Sequence, residues 1–282
     1  MRKLVLAMVA TLVAAATVEA QAVRSGFEGS PMVPDYCASG CSVGNSANDD
    51  GSEGLLSLGF NVDFYGNNFS SLYLNTNGNL TLNGPYLTYT PEQITAGTDP
   101  IIAPFFGDVD TRSGNLLAYG TNILGGQSAW GATWRDVCFY SADCSLTNTF
   151  QVILVDRSDI AAGDFDMEFN YDRIQWETGN ASGGSGGFGG SSAHAGWSNG
   201  IGDYYELAGS GVNGAFLDSN LSSGLIYNRL NSDLDGRYVF NVRGGTVVPP
   251  VSVPEPGTTM LLMSGLLGLG LVGRRRRDRS GG

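Results

Sequence analysis

The chain has 282 residues with a formal net charge of −12, and 42 of its residues are glycine. Seven of the 15 basic and three of the 27 acidic residues lie outside residues 21–254, which leaves 8 basic and 24 acidic residues there, a net charge of −16. Such a surface repels nucleic acid and anionic membranes, so nucleic acid is excluded as a partner. The roughly 230 residues between the two ends are enough for one domain with a substantial core.

Positive charge followed by a short apolar stretch opens the chain. Arg2 and Lys3 precede the apolar run 4–16, and small residues lead up to Ala20 and Gln21. The run would span only about 20 Å as a helix, which is too short for a membrane anchor. Residues 1–20 are therefore predicted to form a secretory signal peptide that is cut between Ala20 and Gln21.

Four cysteines occur as two close pairs. Cys37 and Cys41 lie in a Gly/Ser/Asn-rich segment, residues 21–57, and Cys138 and Cys144 lie in the middle of the chain. In an oxidising exported setting the natural interpretation is two local disulfides, Cys37–Cys41 and Cys138–Cys144, although three connectivities are formally open. A zinc site is disfavoured, because the spacings lack the usual two-residue knuckle and His194 is the sole histidine.

Short strand patterns dominate the middle of the chain. Apolar and polar residues alternate over 60–65, and leucines flank the Asn75-Thr76-Asn77-Gly78 run, which predicts a hairpin. Further strands are predicted at residues 101–106, 151–155, 164–172 and 237–242, and the single helical indication is at 91–96. The expected fold class is mainly β, an antiparallel β-sandwich or partly open barrel with few short helices.

Acidic residues follow or alternate with the apolar positions of these strands. Over 164–172 the apolar side chains share one face and the acids and Asn170 share the other. Asp108, Asp110, Asp164 and Asp166 offer the oxygen ligands that calcium prefers, which makes them calcium candidates, whereas a solvated acidic face is the simpler interpretation. No other cofactor is expected.

The sequence contains few residues that are suited to catalysis. Asp108 and Asp110 would lie roughly 7 Å apart along an extended segment, a spacing that would suit a glycoside hydrolase. Acids are abundant throughout, however, so the chain is predicted not to be an enzyme and the hydrolase is kept as the alternative. Trp130 and Trp197 are candidates for aromatic residues exposed on a binding face.

Glycine and proline mark two connecting segments. Residues 179–190 form a glycine-rich, low-complexity stretch that is predicted to be a mobile loop. Residues 244–253, with two adjacent prolines, are predicted to be a linker. The domain between the N-terminal segment and this linker is expected to span residues 58–243.

The C-terminal 29 residues, 254–282, combine a proline motif, an apolar run and a basic end. Pro254-Glu255-Pro256 precedes the uncharged residues 257–273, which would form a transmembrane helix about 26 Å long. Arg274, Arg275, Arg276 and Arg277 follow, and four adjacent arginines resist translocation. The end of the chain is therefore expected to stay cytoplasmic.

This tail resembles the PEP-CTERM sorting signal of Gram-negative exopolysaccharide producers. The resemblance covers residues 253–279, with motif, helix and arginines in the same order. It implies recognition by an exosortase, cleavage near the proline motif, and delivery to the cell surface or extracellular matrix. Membrane contact would then last only until processing, unless the helix simply remains as a single-pass anchor.

A second resemblance begins at Ile102–Arg112, read as IAPFFGDVDTR. This run resembles the core motif of the nidogen-like extracellular domain, and the likeness extends over residues 58–242. It continues through the segments 115–119, 134–137, 148–152, 170–179, 195–197, 209–210 and 219–220. One departure is Phe106, where the family often has tryptophan.

The nidogen-like resemblance implies an interaction module of the kind found in cell–matrix adhesion. Together with the sorting tail, it predicts an exported surface or matrix protein of an exopolysaccharide-producing bacterium. The expected partner is an extracellular matrix or exopolysaccharide component. Besides the hydrolase, a purely structural coat component is the other alternative.

Overall fold

The computed structural model describes residues 21–38 and 40–249. The expected signal peptide, transmembrane helix and sorting motif lie outside these residues. The described part contains 3-10 helices at Asn180–Ser182 and Leu225–Tyr227 and seventeen strands. The strands are β1 (Ser30–Pro31), β2 (Tyr36–Cys37), β3 (Gly51–Phe64), β4 (Asn67–Asn75), β5 (Asn79–Thr81), β6 (Ile101–Phe106), β7 (Val109–Asp110), β8 (Ala118–Leu124), β9 (Gln127–Phe139), β10 (Asp143–Asp156), β11 (Phe165–Arg173), β12 (Gly184–Ser185), β13 (Phe188–Gly189), β14 (His194–Ser198), β15 (Tyr204–Glu206), β16 (Arg237–Arg243) and β17 (Thr246–Val247).

Most strands belong to two open antiparallel sheets. The first sheet has the order β1-β8-β9-β10-β11-β16-β17, with β7 paired to β9, and the second has the order β15-β14-β6-β5-β4-β3-β2. All pairings between these strands are antiparallel. The mainly β fold class is confirmed, with no closed barrel in the described part. Among the described residues, no helix has the length and apolarity that crossing a membrane requires.

Aromatic side chains join the two sheets through a common core. Phe105 of the second sheet meets Phe150 of the first with ring centroids 5.1 Å apart, and Phe64 meets Phe165 at 6.1 Å. All four side chains are at most 1% exposed. Full burial of a side chain of this size contributes about 1.5–3 kcal/mol. The two sheets therefore pack face to face.

The predicted hairpin at residues 75–78 is confirmed and connects β4 to β5. Asn75 lies opposite Asn79 across the turn. Gly78 has φ +81°, and a Cβ atom there would lie 1.7 Å from the carbonyl oxygen of Phe105. Only glycine fits this close approach of two backbones. The turn is therefore held directly against β6.

Three local predictions differ from the structure. Residues 91–96 form no helix, because Ile94 is buried in a small apolar cluster and its N–H donates to Glu206 Oε1 at 2.9 Å. Residues 179–190 fold into the 3-10 helix Asn180–Ser182 and the β12–β13 hairpin instead of an irregular loop. Within the segment expected to be a linker, β17 pairs with β16.

The N-terminal segment crosses the polar face of β11. Asp172 Oδ1 accepts hydrogen bonds from the N–H groups of Ala22 at 2.8 Å and Val23 at 3.0 Å. Arg24 forms an ion pair with Glu168, with Nε and Oε1 2.6 Å apart. The expectation of a solvated acidic face is wrong here, since Glu168 is only 5% exposed. Residues 22–24 and their partners cover it.

Candidate functional site

Four buried aspartates form an acidic cluster at one end of the sandwich. Asp49 and Asp50 directly precede β3, and Asp108 and Asp110 lie at β7, immediately after β6. An isolated antiparallel bridge between Asp49 and Asp110 brings the two segments together. Their exposures are 1%, 5%, 0% and 0% respectively. The cluster thus joins the N-terminal segment to the Ile102–Arg112 motif.

Each carboxylate of the acidic cluster has at least one polar partner. Arg112 binds Asp110, with Nε and Oδ1 2.9 Å apart, and its Nη2 lies 3.0 Å from Asp49 Oδ2. The Asn77 amide donates to Asp50 Oδ1 at 2.7 Å. In the described part of the chain, Arg112 is the one cation that forms ion pairs with the cluster. Four acids therefore share one positive charge.

The acidic cluster also contains unsatisfied oxygens. Ser182 Oγ donates to Asp108 Oδ2 at 3.1 Å, but Asp108 Oδ1 and Asp49 Oδ1 are buried without a hydrogen-bond partner. Burial raises the pKa of Asp49 to about 8 and that of Asp108 to about 7, and the neighbouring carboxylates act in the same direction. Burial also raises the pKa of Asp50. Buried charges of one sign are costly unless a proton or a cation compensates them.

Both predicted disulfides are present, and both closed loops border the acidic cluster. Cys37 is bonded to Cys41, and Cys138 is bonded to Cys144. Within the first loop, a Cβ atom at Gly40 would lie 3.3 Å from Asp49 Oδ2. Within the second loop, the Ala142 N–H donates to Asp110 Oδ2 at 2.7 Å. Oxidation therefore fixes the chain on two sides of the cluster.

The geometry of Asp108 and Asp110 does not suit glycoside hydrolysis. Both side chains are fully buried, and both Asp110 oxygens are occupied by Arg112 and Ala142. A glycosidase needs two carboxyl groups that contact the sugar from opposite sides of the scissile bond. Neither group can reach a polysaccharide in this arrangement, so the structure gives no support to the hydrolase alternative.

The four calcium candidates do not converge. Asp110 lies opposite Cys138 near the C-terminal end of β9. Asp164 and Asp166 lie at the start of β11, which is level with the N-terminal end of β9. There Asp166 pairs with Arg157 at 3.0 Å and with Arg243 at 2.6 Å, and Asp164 Oδ1 accepts the Gly244 N–H at 2.8 Å. Asp164 and Asp166 thus have structural partners of their own.

Asp49 and Asp50 are the members of the acidic cluster that the sequence did not identify. Their signal is only that two adjacent acids precede a strand, which is common in an acidic chain. Asp108 follows more than fifty residues later, and no local pattern links it to Asp49. Asp49 comes close to Asp108 only because of the way in which the N-terminal segment packs.

The sole histidine and the two tryptophans do not form a functional site. His194 Nδ1 lies 2.7 Å from Glu206 Oε1, and the nearby hydroxyl of Ser192 donates to Asn213 Oδ1, so the histidine does not activate this serine as a nucleophile. Trp130 is 1% exposed and Trp197 is 5% exposed. The expectation that these tryptophans are exposed on a binding face is therefore wrong, because both belong to the core.

An open pocket is lined by residues of β15 in the second sheet, of β16 in the first sheet and of the segment 222–230. It has a volume of about 230 Å³ and combines aromatic, aliphatic and hydrogen-bonding side chains. Tyr205 and Tyr238 supply the aromatic part, while Asn228 and Arg229 supply polar groups. A mixture of ring faces and hydrogen-bonding groups in a concave site is typical of small-ligand recognition. We refer to it as the tyrosine pocket.

Two antiparallel sheets around an aromatic core, two disulfide-closed loops and a strongly acidic composition define an extracellular β-sandwich module. The chain belongs to the nidogen-like domain family, whose model matches residues 70–123 and 120–244, together more than half of the chain. The model of the PEP-CTERM protein-sorting motif matches residues 252–277. Both resemblances are thereby confirmed, and the protein is exported and surface-associated or extracellular.

Curated relatives include two large animal proteins. The chain is 28% identical to alpha-tectorin of Gallus gallus over 71% of its length and 10% of the relative, and 29% identical to that of Homo sapiens with the same coverage. It is 29% identical to nidogen of Drosophila melanogaster over 36% of the chain and 9% of the relative. The chain thus spans about a tenth of the length of these relatives, and none of the names denotes an enzyme. No solved structure matches the chain.

Proposed function

We propose that this protein is an interaction protein of the bacterial cell surface or extracellular matrix, of the adhesion type. The observation that carries the proposal is the combination of a nidogen-like domain and a PEP-CTERM motif in one chain. The family model implies contact with another extracellular molecule, and the sorting motif implies delivery to the place where such molecules occur. The acidic composition keeps the exported domain soluble.

In this proposal, exosortase is the partner during sorting. The enzyme would recognise Pro254-Glu255-Pro256, with residues 257–273 in the membrane and Arg274–Arg277 on the cytoplasmic side. Cleavage near the motif would release the domain from the membrane. Contact with the bilayer is then a step of the delivery, not the final state.

Intact mass spectrometry of the protein from host membranes and from the medium tests the sorting step. We expect a form that ends near Pro254 outside the cell, and its loss when residues 254–256 are replaced by alanine. A matched control replaces Pro249 and Pro250, which lie just outside the motif, and should leave processing unchanged. Full-length protein with Arg274–Arg277 in every fraction would show a plain membrane anchor instead.

The proposed ligand is a polysaccharide component of the matrix. The tyrosine pocket supports this choice, because Tyr205 offers a ring face. The Asn228 amide oxygen and the guanidinium N–H groups of Arg229 that do not bind Asp235 would form hydrogen bonds with hydroxyl groups. Its volume of about 230 Å³ suits one sugar unit of a chain better than a larger ligand. Recognition of many repeating units along one polymer would raise the overall avidity.

Binding of the exported protein to the purified exopolysaccharide of the host tests the ligand. Tyr205→Ala should weaken binding by at least about tenfold, as expected for the loss of an aromatic contact. Tyr204→Ala is the matched control, because Tyr204 is its neighbour on β15, points to the opposite face and is 48% exposed. Equal binding by both variants would exclude the tyrosine pocket as the polysaccharide-binding site. Self-assembly without any polysaccharide binding would favour the structural coat component.

A further inference from the structure

Three members of the acidic cluster have the arrangement of a cation site. Asp49, Asp50 and Asp108 each offer one carboxylate oxygen, and these oxygens all lie within 4.8 Å of one another. All three side chains are buried. We propose that Asp49, Asp50 and Asp108 bind a calcium ion that ties the N-terminal segment to the Ile102–Arg112 motif. The proposal does not depend on the adhesion function.

Unpartnered oxygens point to a ligand here. Asp49 Oδ1 and Asp108 Oδ1 have no hydrogen-bond donor, and their residues are 1% and 0% exposed. The second oxygen of each is held from outside the triad, Asp49 Oδ2 by Arg112 and Asp108 Oδ2 by Ser182. In folded proteins buried carboxylate oxygens normally accept hydrogen bonds or bind a metal. A bound cation would compensate such unpartnered oxygens.

Charge balance favours a divalent ion. With every carboxylate ionised, the acidic cluster carries four negative charges and Arg112 supplies one positive charge. A divalent cation would reduce the remaining charge from about −3 to about −1 in a region where the effective dielectric constant is low. Protons would compete with the ion for these carboxylates, because burial favours the neutral acids.

The donor set favours calcium over other divalent ions. Hard carboxylate oxygens suit calcium and magnesium, while zinc and copper prefer nitrogen and sulfur. In the described residues the cysteines are disulfide-bonded, and the group of side chains that could hold one ion contains carboxylates alone. Calcium also accepts irregular coordination by six to eight oxygens, whereas magnesium requires near-ideal octahedral geometry. Backbone oxygens and water would supply the remaining ligands.

Neighbouring groups already orient the three carboxylates. Asn77 holds Asp50 through a hydrogen bond of 2.7 Å, and the backbone at Gly179 packs so closely that a Cβ there would lie 2.2 Å from Asp108 Oδ2. The disulfide loop that contains Gly40 covers the Asp49 side. Such support reduces the ordering that ion binding would otherwise require.

Calcium titration of the full-length chain, purified in mild detergent and stripped with EDTA, tests the proposal. Extracellular calcium sites have Kd values of about 10⁻⁴–10⁻³ M, so calorimetry with CaCl₂ should give binding in that range. At about 100 times Kd, the melting temperature should rise by about 5–10 °C relative to EDTA. Magnesium at the same concentration should give a clearly smaller rise. An equal rise would overturn the assignment to calcium.

Isosteric variants identify the ligands. Asp108→Asn and Asp49→Asn should each weaken calcium binding at least about tenfold, while the melting temperature in EDTA stays the same or rises because a buried charge is removed. Asp166→Asn is the matched control and should keep the calcium-dependent rise. Two results would overturn the proposal: no heat and no change of melting temperature in 10 mM CaCl₂ for the unchanged chain, or unchanged calcium affinity in both cluster variants.

Discussion

The indole of Trp134 connects the two sheets in a way that mutation can measure. Its Nε1–H donates to the carbonyl oxygen of Thr76 at 2.9 Å, and its ring stacks on Phe150 with centroids 4.9 Å apart. Trp134→Phe removes this donor and leaves a buried carbonyl without a partner, which costs about 1–3 kcal/mol. The smaller ring adds a cavity cost of about 1 kcal/mol. We therefore expect the free energy of unfolding to fall by about 2–4 kcal/mol.

Trp197 provides the control within the same core. It is 5% exposed, but its Nε1 has no hydrogen-bond partner, so Trp197→Phe removes ring volume alone. We expect a loss of about 1 kcal/mol for this variant. Urea unfolding of the full-length chain, followed by circular dichroism, gives both values from shifted midpoints at constant slope. A loss at Trp197 equal to or larger than that at Trp134 would refute the importance of the inter-sheet hydrogen bond.

Three further perturbations are predicted from the structure. Gly78→Ala should lower the free energy of unfolding by more than about 3 kcal/mol. Gly59 has a similar φ, but a Cβ atom there would meet no neighbouring atom, so Gly59→Ala should cost about 1 kcal/mol. Urea unfolding of the two variants compares these costs. Burial raises the pKa of Asp218 from 3.8 to about 6, so the folded state binds the proton more tightly and stability falls as the pH rises from about 4 to about 6. Asp218→Asn should flatten this fall, and an unchanged pH dependence would contradict the assignment. Replacing Cys138 and Cys144 by serine should lower the free energy of unfolding by about 2 kcal/mol, which is measured as a lower melting temperature. A melting temperature that changes neither with this replacement nor with reductant would contradict a stabilising disulfide.

Local periodicity was sufficient for the predictions that succeeded. The strand at Ile101–Phe106 and the hairpin after Asn75 depend on neighbours within a few residues, and the structure contains both. The cysteine pairs are also local, since four and six positions separate their partners. Such features need no knowledge of the tertiary arrangement.

Features that depend on distant contacts could not be predicted. The alternation over β11 is the same whether water or Arg24 covers Glu168, so the pattern predicted a solvated face that is in fact buried. The acidic cluster was missed for the same reason, because Asp49 approaches Asp108 only through the packing of the N-terminal segment. The glycine-rich stretch 179–190 is ordered in part by one hydrogen bond from Ser182.

The position of residues 22–24 also has a kinetic consequence. Ala22 bonds to Asp172, 150 positions away, and its carbonyl oxygen accepts a hydrogen bond from Arg237, 215 positions away. These contacts have a high sequence separation, and such contacts form slowly. During export the N-terminal segment emerges first, and its partner Arg237 emerges only after more than 200 further residues. The cover that residues 22–24 form over β11 is therefore incomplete until Arg237 has crossed the membrane, and chaperones in that compartment would meet the outer face of β11 before it is fully covered.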